Sequence, residues 1–337
     1  MSNKNRQFVL VSRPEGMVRE GDFDLKDSAV PEPGPGEFLL RTVYLSVDPY
    51  MRGMMSDRKS YAEPVAIGAV MTGQVVGVVE KSNHDRFKEG EIVVAATGWQ
   101  EYSVCDGTDC RKVNPDYGPI STSLHVLGMP GLTAYFGLLR ICQPEAGQTV
   151  VVSGAAGAVG STVGQIAKIM DCRAVGIAGS KEKTDWITGD LGFAAAVNYR
   201  DESSIYRSLK QHCPDGVHAY FDNVGGPITD AVFPLLAVGG RVAVCGQISQ
   251  YNMDEAPTGP RLLWHLIVKR ATLQGFLIFD FAKHYREGLI QLSEWVSSGR
   301  VKYRESIADG FEKAPGALVG LFQGDNIGKQ LVKVSDL

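Results

Sequence analysis

The sequence of 337 residues predicts an α/β protein with two domains: a doubly wound parallel sheet in the middle of the chain, and an antiparallel β domain built from both chain ends. Three observations predict this division. Short strand-like runs broken by turn residues continue to about residue 120, apolar strands then alternate with helical segments, and strand character returns after residue 300. We therefore predict a β domain at residues 1–122 and 300–337, and an α/β domain at residues 123–299.

The amino-terminal region reads as strands because turn residues interrupt it repeatedly. A cluster of prolines and glycines at Val30–Gly36 precedes Glu37–Tyr44, whose β-branched residues and partial alternation indicate a strand. Ala69–Glu80 and Glu91–Ala96 are further candidate strands. Little of this region has the spacing of apolar residues that a helix needs, so an antiparallel β domain fits it best.

The middle of the chain alternates apolar strands with helices, which is typical of βαβ units and of a parallel sheet covered on both faces. The predicted strands are Gln148–Gly154, Arg173–Gly179, Ala194–Tyr199, Val217–Asp222, Arg241–Cys245 and Thr272–Ile278. The predicted helices are Ala158–Met170, Glu182–Leu191, Asp201–Gln211, Pro227–Leu236 and Ala282–Ser298. A last strand, Lys329–Val334, belongs to a tail of β character that we expect to rejoin the first domain.

Composition and charge argue against several function classes. The chain has 34 Lys and Arg against 38 Asp and Glu, a net charge of −4 and no basic run, so we do not expect it to bind nucleic acid. No stretch reaches the roughly 18 uninterrupted apolar residues of a membrane span, and the amino terminus has no apolar signal core. The six cysteines are scattered, several in apolar runs, which indicates buried thiols in a reducing compartment; we predict the cytoplasm.

The strongest chemical signal is Ser153–Gly160, SGAAGAVG, which follows an apolar strand and opens a helix. The pyrophosphate of a dinucleotide binds at such a helix N-terminus when the main chain carries little side-chain bulk. Gly157 permits that approach and Gly160 lets helix and sheet pack closely, although Ala155 stands where the G-x-G-x-x-G pattern has its first glycine. The segment predicts a Rossmann dinucleotide site. A tight turn in a sheet that binds nothing is the alternative.

The end of the next predicted strand indicates NADPH. NAD enzymes place an Asp or Glu about 20 residues after the glycine loop, where it binds the ribose 2′-hydroxyl. Here the strand ends in Ala178–Lys183 with no acid at its tip. Gly179 leaves space, Ser180 offers a hydroxyl, and Lys181 and Lys183 supply the positive charge that suits a 2′-phosphate. The alternative is two lysines that only solvate a helix start, where positive charge is mildly unfavourable.

Two later strand ends carry similar small and polar residues. Asp222–Gly226 and Cys245–Tyr251 both follow predicted parallel strands, and ligands of open α/β sheets bind at that edge. Either segment alone reads as an ordinary β-to-α turn. Three consecutive glycine-bearing strand ends on one edge favour a binding crevice.

Other catalytic chemistries lack their motifs. The chain has no H-E-x-x-H, no C-x-x-C, no G-x-S-x-G and no P-loop, and its six histidines never fall at a metal-ligand spacing. We therefore predict no metal site and no serine nucleophile. What remains is hydride chemistry carried by a nicotinamide, for which the protein supplies orientation and electrostatics.

A resemblance to a known family is carried by six stretches: Leu45–Arg52, Gly128–Gly137, Ala155–Gly160, Phe221–Gly226, Cys245–Asn252 and Gly324–Lys329. With them the chain resembles the zinc-independent medium-chain reductases, the group of prostaglandin reductases, leukotriene B4 12-hydroxydehydrogenase, curcumin reductase and plant alkenal double-bond reductases. The resemblance spans nearly the whole chain. It is specific to the group and does not distinguish the group's members.

The resemblance implies a GroES-like β domain beside a Rossmann domain, usually in a homodimer, and reduction by NADPH of the carbon–carbon double bond of α,β-unsaturated ketones or aldehydes. Zinc-containing cousins bind zinc through a Cys near Val47 and Asp48, where this chain has none. The implied contacts to the pyrophosphate are Gly157, Ala158, Val159 and Gly160. Lys183 is the implied contact to the 2′-phosphate, and Tyr199 is implied to lie near the adenosine phosphate. The implied nicotinamide contacts are Asn223, Cys245, Gly246, Gln247, Ile248, Ser249, Tyr251, Phe276, Leu277, Ile278 and Asn326.

The same resemblance implies a mechanism. Hydride transfer to the β-carbon leaves negative charge on the carbonyl oxygen, and preorganised hydrogen-bond donors there lower the barrier. In this group the nicotinamide ribose 2′-hydroxyl is such a donor, and Tyr251 matches the family tyrosine beside it. We assign Tyr251 as the orienting residue and proton relay, with simple packing as the alternative, and Tyr50 as a substrate-site residue. A quinone reductase or alcohol dehydrogenase on the same fold, and an NADPH-binding protein without turnover, are the competing functions.

Overall fold

The computed structural model describes residues 4–201 and 203–337, which form two compact units. One unit contains the chain up to Leu124 together with Glu305–Leu337, and the other is His125–Arg304. In chain order the strands are β1 (Lys4–Leu10), β2 (Phe23–Ala29), β3 (Phe38–Ser46), β4 (Val75–Ser82), β5 (Ile92–Ala95), β6 (Tyr102–Cys105), β7 (Arg111–Val113), β8 (Thr149–Ser153), β9 (Arg173–Ala178), β10 (Ala195–Asn198), β11 (Val217–Asp222), β12 (Leu236–Val244), β13 (Thr272–Gly275), β14 (Glu305–Asp309) and β15 (Lys329–Lys333). The α-helices are α1 (Tyr50–Met54), α2 (Met129–Phe136), α3 (Ala158–Ile169), α4 (Lys181–Gly189), α5 (Ile205–His212), α6 (Gly226–Val232), α7 (Leu263–Lys269), α8 (Tyr285–Ser297) and α9 (Ala314–Gln323).

The first unit is mainly antiparallel β structure. β1 pairs with β2, and a larger sheet has the strand order β14-β15-β3-β4-β5-β7, with β6 also paired to β3. Its neighbours run antiparallel, and β14 lies parallel to β15. Aromatic rings fill its core: Trp99 stacks on Phe23 at 5.0 Å, and Phe311 packs against Phe8 at 5.1 Å. The antiparallel domain is confirmed, and the pairing of β15 with β3 confirms that the tail rejoins it.

The second unit is a six-stranded parallel sheet of order β10-β9-β8-β11-β12-β13. Counted from β8, that order is 3-2-1-4-5-6, which defines the doubly wound Rossmann fold. Every residue of β8 is buried, as expected for a central strand with both faces covered. The predicted fold class is confirmed. The strand order reverses between β8 and β11. Ligands of such sheets bind beside that switch point.

The predicted strand Thr272–Ile278 is wrong in its last three residues. β13 ends at Gly275, and a 3₁₀ helix begins at Ile278. One cause is local: the backbone N–H of Leu277 donates to the Asp280 carboxylate at 3.1 Å and so does not pair with β12. An apolar run alone does not reveal that capping bond.

Several other elements differ from prediction in their bounds or were not predicted. The strand predicted at Ala69–Glu80 begins only at Val75, because Met71 bonds to β1 instead, donating its N–H to the Phe8 carbonyl at 2.9 Å. The helix predicted at Pro227–Leu236 ends at Val232, before Pro234, a residue without an N–H for the helix. The five-residue helix α1 was not predicted. Glu202, inside the predicted helix Asp201–Gln211, lies outside the described residues.

Candidate cofactor site at the strand ends of the parallel sheet

The loop between β8 and α3 has almost no side-chain bulk. β8 ends at Ser153, and α3 begins at Ala158 with Gly157 as an N-cap that provides no side-chain acceptor. A Cβ on Gly160 would lie 2.3 Å from the Gly154 carbonyl oxygen, so the packing of helix on loop requires glycine there. The N–H groups of the first helical turn have no acceptor within the helix. The loop therefore presents backbone donors, and the positive end of a helix dipole, to an anion.

The two lysines that follow β9, Lys181 and Lys183, have different surroundings. Ser180 is the N-cap of α4, and its hydroxyl accepts the backbone N–H of Lys183 at 3.3 Å. The side chain of Lys183 is half-buried at this capped helix start. Lys181 is exposed and forms an ion pair with Asp185 one helical turn away, at 2.6 Å. Lys181 thus has a carboxylate partner along the helix surface.

Tyr199 covers the glycine at the end of β9. A Cβ on Gly179 would lie 2.7 Å from the Tyr199 hydroxyl oxygen, so only glycine allows the ring to take this position. The strand register explains the contact, because Asn198 pairs with Ala178 and the next residue of each chain segment follows beyond the sheet. The residue that packs against the end of β9 is therefore an aromatic ring and not a carboxylate.

Asp222 closes β11 as a buried hub of hydrogen bonds. Its side chain is inaccessible (1% exposed), and its carboxylate accepts five hydrogen bonds, all from neutral donors. The donors are Ser153 Oγ (2.9 Å), Tyr220 Oη (2.9 Å), Thr229 Oγ1 (2.6 Å) and the backbone N–H groups of Val224 (3.0 Å) and Gly225 (2.9 Å).

Asn223, the next residue, ties β11 to β8. Its backbone N–H donates to Ser153 Oγ at 2.9 Å, and its side-chain amide donates to the Ser153 carbonyl at 2.8 Å. Ser153 therefore accepts from Asn223 while it donates to Asp222. The two central strands are joined at the switch point by this exchange of hydrogen bonds.

The segment after β12 is bound to the same hub. The backbone N–H groups of Cys245 and Gly246 donate to the Asp222 carbonyl at 2.8 and 3.1 Å. Further along, the Tyr251 hydroxyl oxygen accepts the Gln247 N–H at 3.1 Å, so the segment folds back on itself. This bond holds the Tyr251 hydroxyl at the sheet edge.

Burial keeps the two titratable groups of that segment protonated. It raises the pKa of the Cys245 thiol to about 12, and it raises the pKa of the Tyr251 hydroxyl above its usual value near 10. Cys245 is therefore not a thiolate nucleophile at neutral pH. The Tyr251 oxygen accepts one hydrogen bond and retains its own O–H to donate.

Comparisons with known proteins identify the family. Residues 6–113 match the family described as N-terminal domain of oxidoreductase, and residues 158–295 match the family described as zinc-binding dehydrogenase. The NADPH-dependent curcumin reductase of Escherichia coli (strain K12) is 45% identical over 337 residues, covering 98% of this chain and 97% of the relative. The chain belongs to the medium-chain dehydrogenase/reductase family.

Two further relatives of this medium-chain reductase match it along its length. The 2-alkenal reductase (NADP(+)-dependent) of Nicotiana tabacum is 44% identical over 337 residues, covering 98% of each chain. The crystal structure of CurA from Vibrio vulnificus in complex with NADPH is 47% identical and superposes with a TM-score of 0.94, covering 98% of this chain and 100% of the other. The resemblance stated from the sequence is confirmed at the level of the family.

Most of the predicted site residues lie at one edge of the family's parallel sheet. Each of the six strands is followed at its carboxyl end by one predicted group: Gly157–Gly160 after β8, Lys183 after β9, Tyr199 after β10, Asn223 after β11, Cys245–Tyr251 after β12 and Phe276–Ile278 after β13. In the last group the Phe276 ring meets the Phe221 ring edge to face at 6.1 Å. That these residues contact a cofactor remains a prediction.

Two predicted site residues belong to the first unit of this medium-chain reductase. Tyr50 begins α1, and burial, followed by the negative charge of Asp48, raises the pKa of its hydroxyl. Asn326 lies before β15, and its side-chain amide donates to the Gly328 carbonyl at 2.7 Å. Their roles at the substrate and at the nicotinamide remain predictions.

The hub residues Ser153, Tyr220 and Thr229 were missed as site residues. The available signal was the row His218, Tyr220 and Asp222, polar side chains that share one face of a strand whose other residues are apolar. A polar side chain inside a buried strand needs a partner. The sequence does not show which distant residue provides it.

Among residues 4–201 and 203–337, no group of three or more His, Cys, Asp and Glu side chains is placed to hold a metal ion. Over the same residues, no helix combines the length and the apolar character that crossing a membrane requires.

Proposed function

We propose that this protein uses NADPH to reduce the carbon–carbon double bond of α,β-unsaturated ketones and aldehydes. The observation that carries the proposal is the sheet edge, where a glycine loop at a helix N-terminus is followed by Ser180 and Lys183 at a strand end without a carboxylate. Relatives that cover 98% of this chain are named for the reduction of curcumin and of 2-alkenals.

The residues at the sheet edge fit NADPH. The backbone donors of Gly157–Gly160 would hold the pyrophosphate, and Lys183, with the Ser180 hydroxyl, would hold the 2′-phosphate. Tyr199 would lie beside the adenosine. Lining of the nicotinamide is assigned to Asn223, Cys245–Tyr251, Phe276–Ile278 and Asn326. When bound, NADPH supplies the hydride that the β-carbon of the substrate receives.

Tyr251 is assigned the orienting and proton-relay role. Its oxygen is fixed by the Gln247 N–H, and its raised pKa keeps the hydroxyl proton in place at neutral pH. A fixed, protonated hydroxyl can donate a hydrogen bond toward the oxygen on which negative charge develops, and such preorganised donors lower the barrier. Tyr50 is assigned to the substrate site.

The first experiment follows NADPH absorbance after the protein is mixed with 3-nonen-2-one. The other arms replace NADPH by NADH, replace the enone by a quinone, or offer a simple alcohol together with NADP⁺. We expect NADPH to be consumed far faster than NADH and the saturated ketone to form. Turnover with the quinone or the alcohol alone would replace the proposal with one of those activities. Binding of NADPH without turnover in any arm would leave a cofactor-binding protein and contradict the reductase assignment.

Two lysine variants test the cofactor assignment. Lys183→Ala should raise the KM for NADPH about tenfold or more and leave the KM for NADH unchanged, because one hydrogen bond between charged groups is lost. Lys181→Ala is the matched control, since Lys181 pairs with Asp185 instead. Equal effects of the two variants would contradict a specific role for Lys183.

A tyrosine variant tests the catalytic assignment. Tyr251→Phe keeps the ring and removes the hydroxyl that accepts the Gln247 N–H. We expect kcat to fall about 10²-fold or more, a magnitude typical of a lost catalytic hydrogen-bond donor. Full kcat in Tyr251→Phe would reduce Tyr251 to a packing residue.

We also propose a homodimer formed through the second unit. The helix α7 carries exposed apolar side chains, and β13, which follows it in the chain, is the edge strand of the sheet, with all four residues exposed. Large exposed apolar side chains of α7 are Leu263 (67%), Trp264 (67%) and Ile267 (66%), and Phe279 (60%) follows β13. Exposed apolar side chains and an open strand edge are both typical of an interface. Sedimentation should show a dimer that Trp264→Glu dissociates; a monomeric wild type would contradict the proposal.

A further inference from the structure

We propose that Asp222 is a positioning residue that sets the affinity for the nicotinamide half of the cofactor, an inference that rests on the proposed function. None of its hydrogen bonds reaches the predicted phosphate contacts Gly157–Gly160 or Lys183. It acts through its hydrogen bonds on the loops that follow β8, β11 and β12, and the last two of these loops carry residues assigned to the nicotinamide.

The carboxylate of Asp222 organises the first two of these loops. It accepts the Ser153 hydroxyl on one side of the switch point and the Val224 and Gly225 backbone N–H groups on the other. Ser153 in turn accepts the Asn223 N–H, so the position of Asn223 depends on the Asp222–Ser153 contact. A buried carboxylate needs these bonds, because an unmet acceptor in the protein interior is costly.

The backbone of Asp222 holds the third loop. Its carbonyl accepts both the Cys245 and the Gly246 N–H, which fixes the start of the segment that ends at Tyr251. Further contacts reinforce the join, because Ser249 donates both its backbone N–H (3.1 Å) and its hydroxyl (2.7 Å) to the Val224 carbonyl. A shift of Asp222 therefore moves Asn223 and the Tyr251 segment together.

The 2′-phosphate region lies outside this network. Lys183 and Ser180 follow β9, and Ser180 bonds within its own helix start. The hydrogen bonds of Asp222 reach β8, β11, β12 and α6, not β9. Loss of the Asp222 network should thus weaken NADPH and NADH by the same factor and preserve the preference for NADPH.

The test measures dissociation constants of NADPH and NADH by titration, alongside Tm, for Asp222→Asn. The asparagine keeps the shape but loses the negative charge that strengthens the five bonds. We expect both Kd values to rise about tenfold, because hydrogen bonds to a charged group are weakened. The ratio of the Kd for NADPH to the Kd for NADH should stay unchanged. Ser153→Ala removes only the hydroxyl that donates to Asp222 and accepts the Asn223 N–H. It should show the same pattern at smaller size and serves if Asp222→Asn does not fold.

Leu209→Ala is the control for general destabilisation. Leu209 is fully buried in α5 and makes none of the Asp222 bonds, so its truncation should lower Tm and leave both Kd values within about twofold. An unchanged NADPH Kd in both Asp222→Asn and Ser153→Ala would overturn the inference and leave the proposed function intact. An equal rise of Kd in Leu209→Ala would also overturn it, because the effect would then be general destabilisation. Failure of the wild-type protein to bind NADPH would overturn both proposals together.

Discussion

Asp222 in the second unit and Asp48 in the first are buried acids that stand at or just beyond the end of a strand, but their partners differ in kind. Asp222 is surrounded by neutral donors. Asp48 pairs with the ammonium of Lys329 at 3.0 Å and also accepts the Ser46 hydroxyl. Lys329 is itself buried (1% exposed), and its Nζ donates to the Val47 and Gln330 carbonyls at 2.7 and 2.8 Å.

The difference separates two ways of satisfying a buried carboxylate. Around Asp222 the charge is shared among many donors, so the loss of one donor leaves four others in place. Around Asp48 much of the compensation comes from one cation, and its removal leaves a negative charge in the interior. The neutral hub is suited to holding several loops in register, whereas the ion pair joins two distant parts of the chain, β15 and the end of β3.

The largest effect should follow the loss of the cation. Lys329→Met is expected to lower the free energy of unfolding of the first unit by about 3–5 kcal/mol, because Asp48 is left buried without its counter-charge. Hydrogen exchange of the β3 and β15 amides, which report on this unit, measures the change. The double variant Asp48→Asn with Lys329→Met should recover a large part of the loss. A loss below about 1 kcal/mol in the single variant would show that the ion pair is not needed to compensate Asp48.

A smaller effect should follow the loss of one neutral donor at the hub. Thr229→Val removes the 2.6 Å bond to Asp222 and is expected to cost about 1.5–3 kcal/mol, the range for a hydrogen bond to a charged group. Thr229→Ser retains the hydroxyl and should therefore keep most of the stability that Thr229→Val loses. Urea unfolding of both variants provides the measurement. If Thr229→Val costs as much as Lys329→Met, the contrast between shared and single compensation is wrong.

Sequence patterns predicted the strands of the parallel sheet and the glycine loop because those signals are local. The apolar run at β8, the small residues after it and the helix that follows lie within about twenty residues of one another. The hydrogen-bonding roles of both buried acids escaped prediction because one important partner of each is remote in sequence. Ser153 lies 69 residues from Asp222, and Lys329 and Asp48 lie at opposite ends of the chain.

The error at Phe276–Ile278 has a different physical origin. The run Thr272–Ile278 is as apolar as a strand, and its composition gives no reason for it to stop at Gly275. A side-chain cap from Asp280 and the packing of the Phe276 ring on Phe221 and Phe281 end it. Tertiary packing here overrides the local preference, as is common for β structure.

The smallest expected effect is a pH dependence that isolates one member of the hub. Burial, with the charge of Asp222 second, raises the pKa of Tyr220 well above its usual value. As pH rises through about 10 the unfolded chain releases this proton while the folded chain keeps it, so stability falls, with a slope that approaches about 1.4 kcal/mol per pH unit for one tyrosine. Well below pH 10 the residue contributes almost no slope.

Tyr220→Phe measures that contribution by difference, since other buried groups titrate equally in both proteins. Urea unfolding at pH 9, 10 and 10.5 should show the wild type losing about 0.4 kcal/mol more than the variant across the last half unit, because the unfolded tyrosine is only partly ionised there. The variant starts from a lower stability because Asp222 loses one donor, and its slope is shallower. Parallel slopes would mean that Tyr220 ionises as easily in the folded chain as in the unfolded one, and the neutral hub would then not hold the hydroxyl proton between Tyr220 and Asp222.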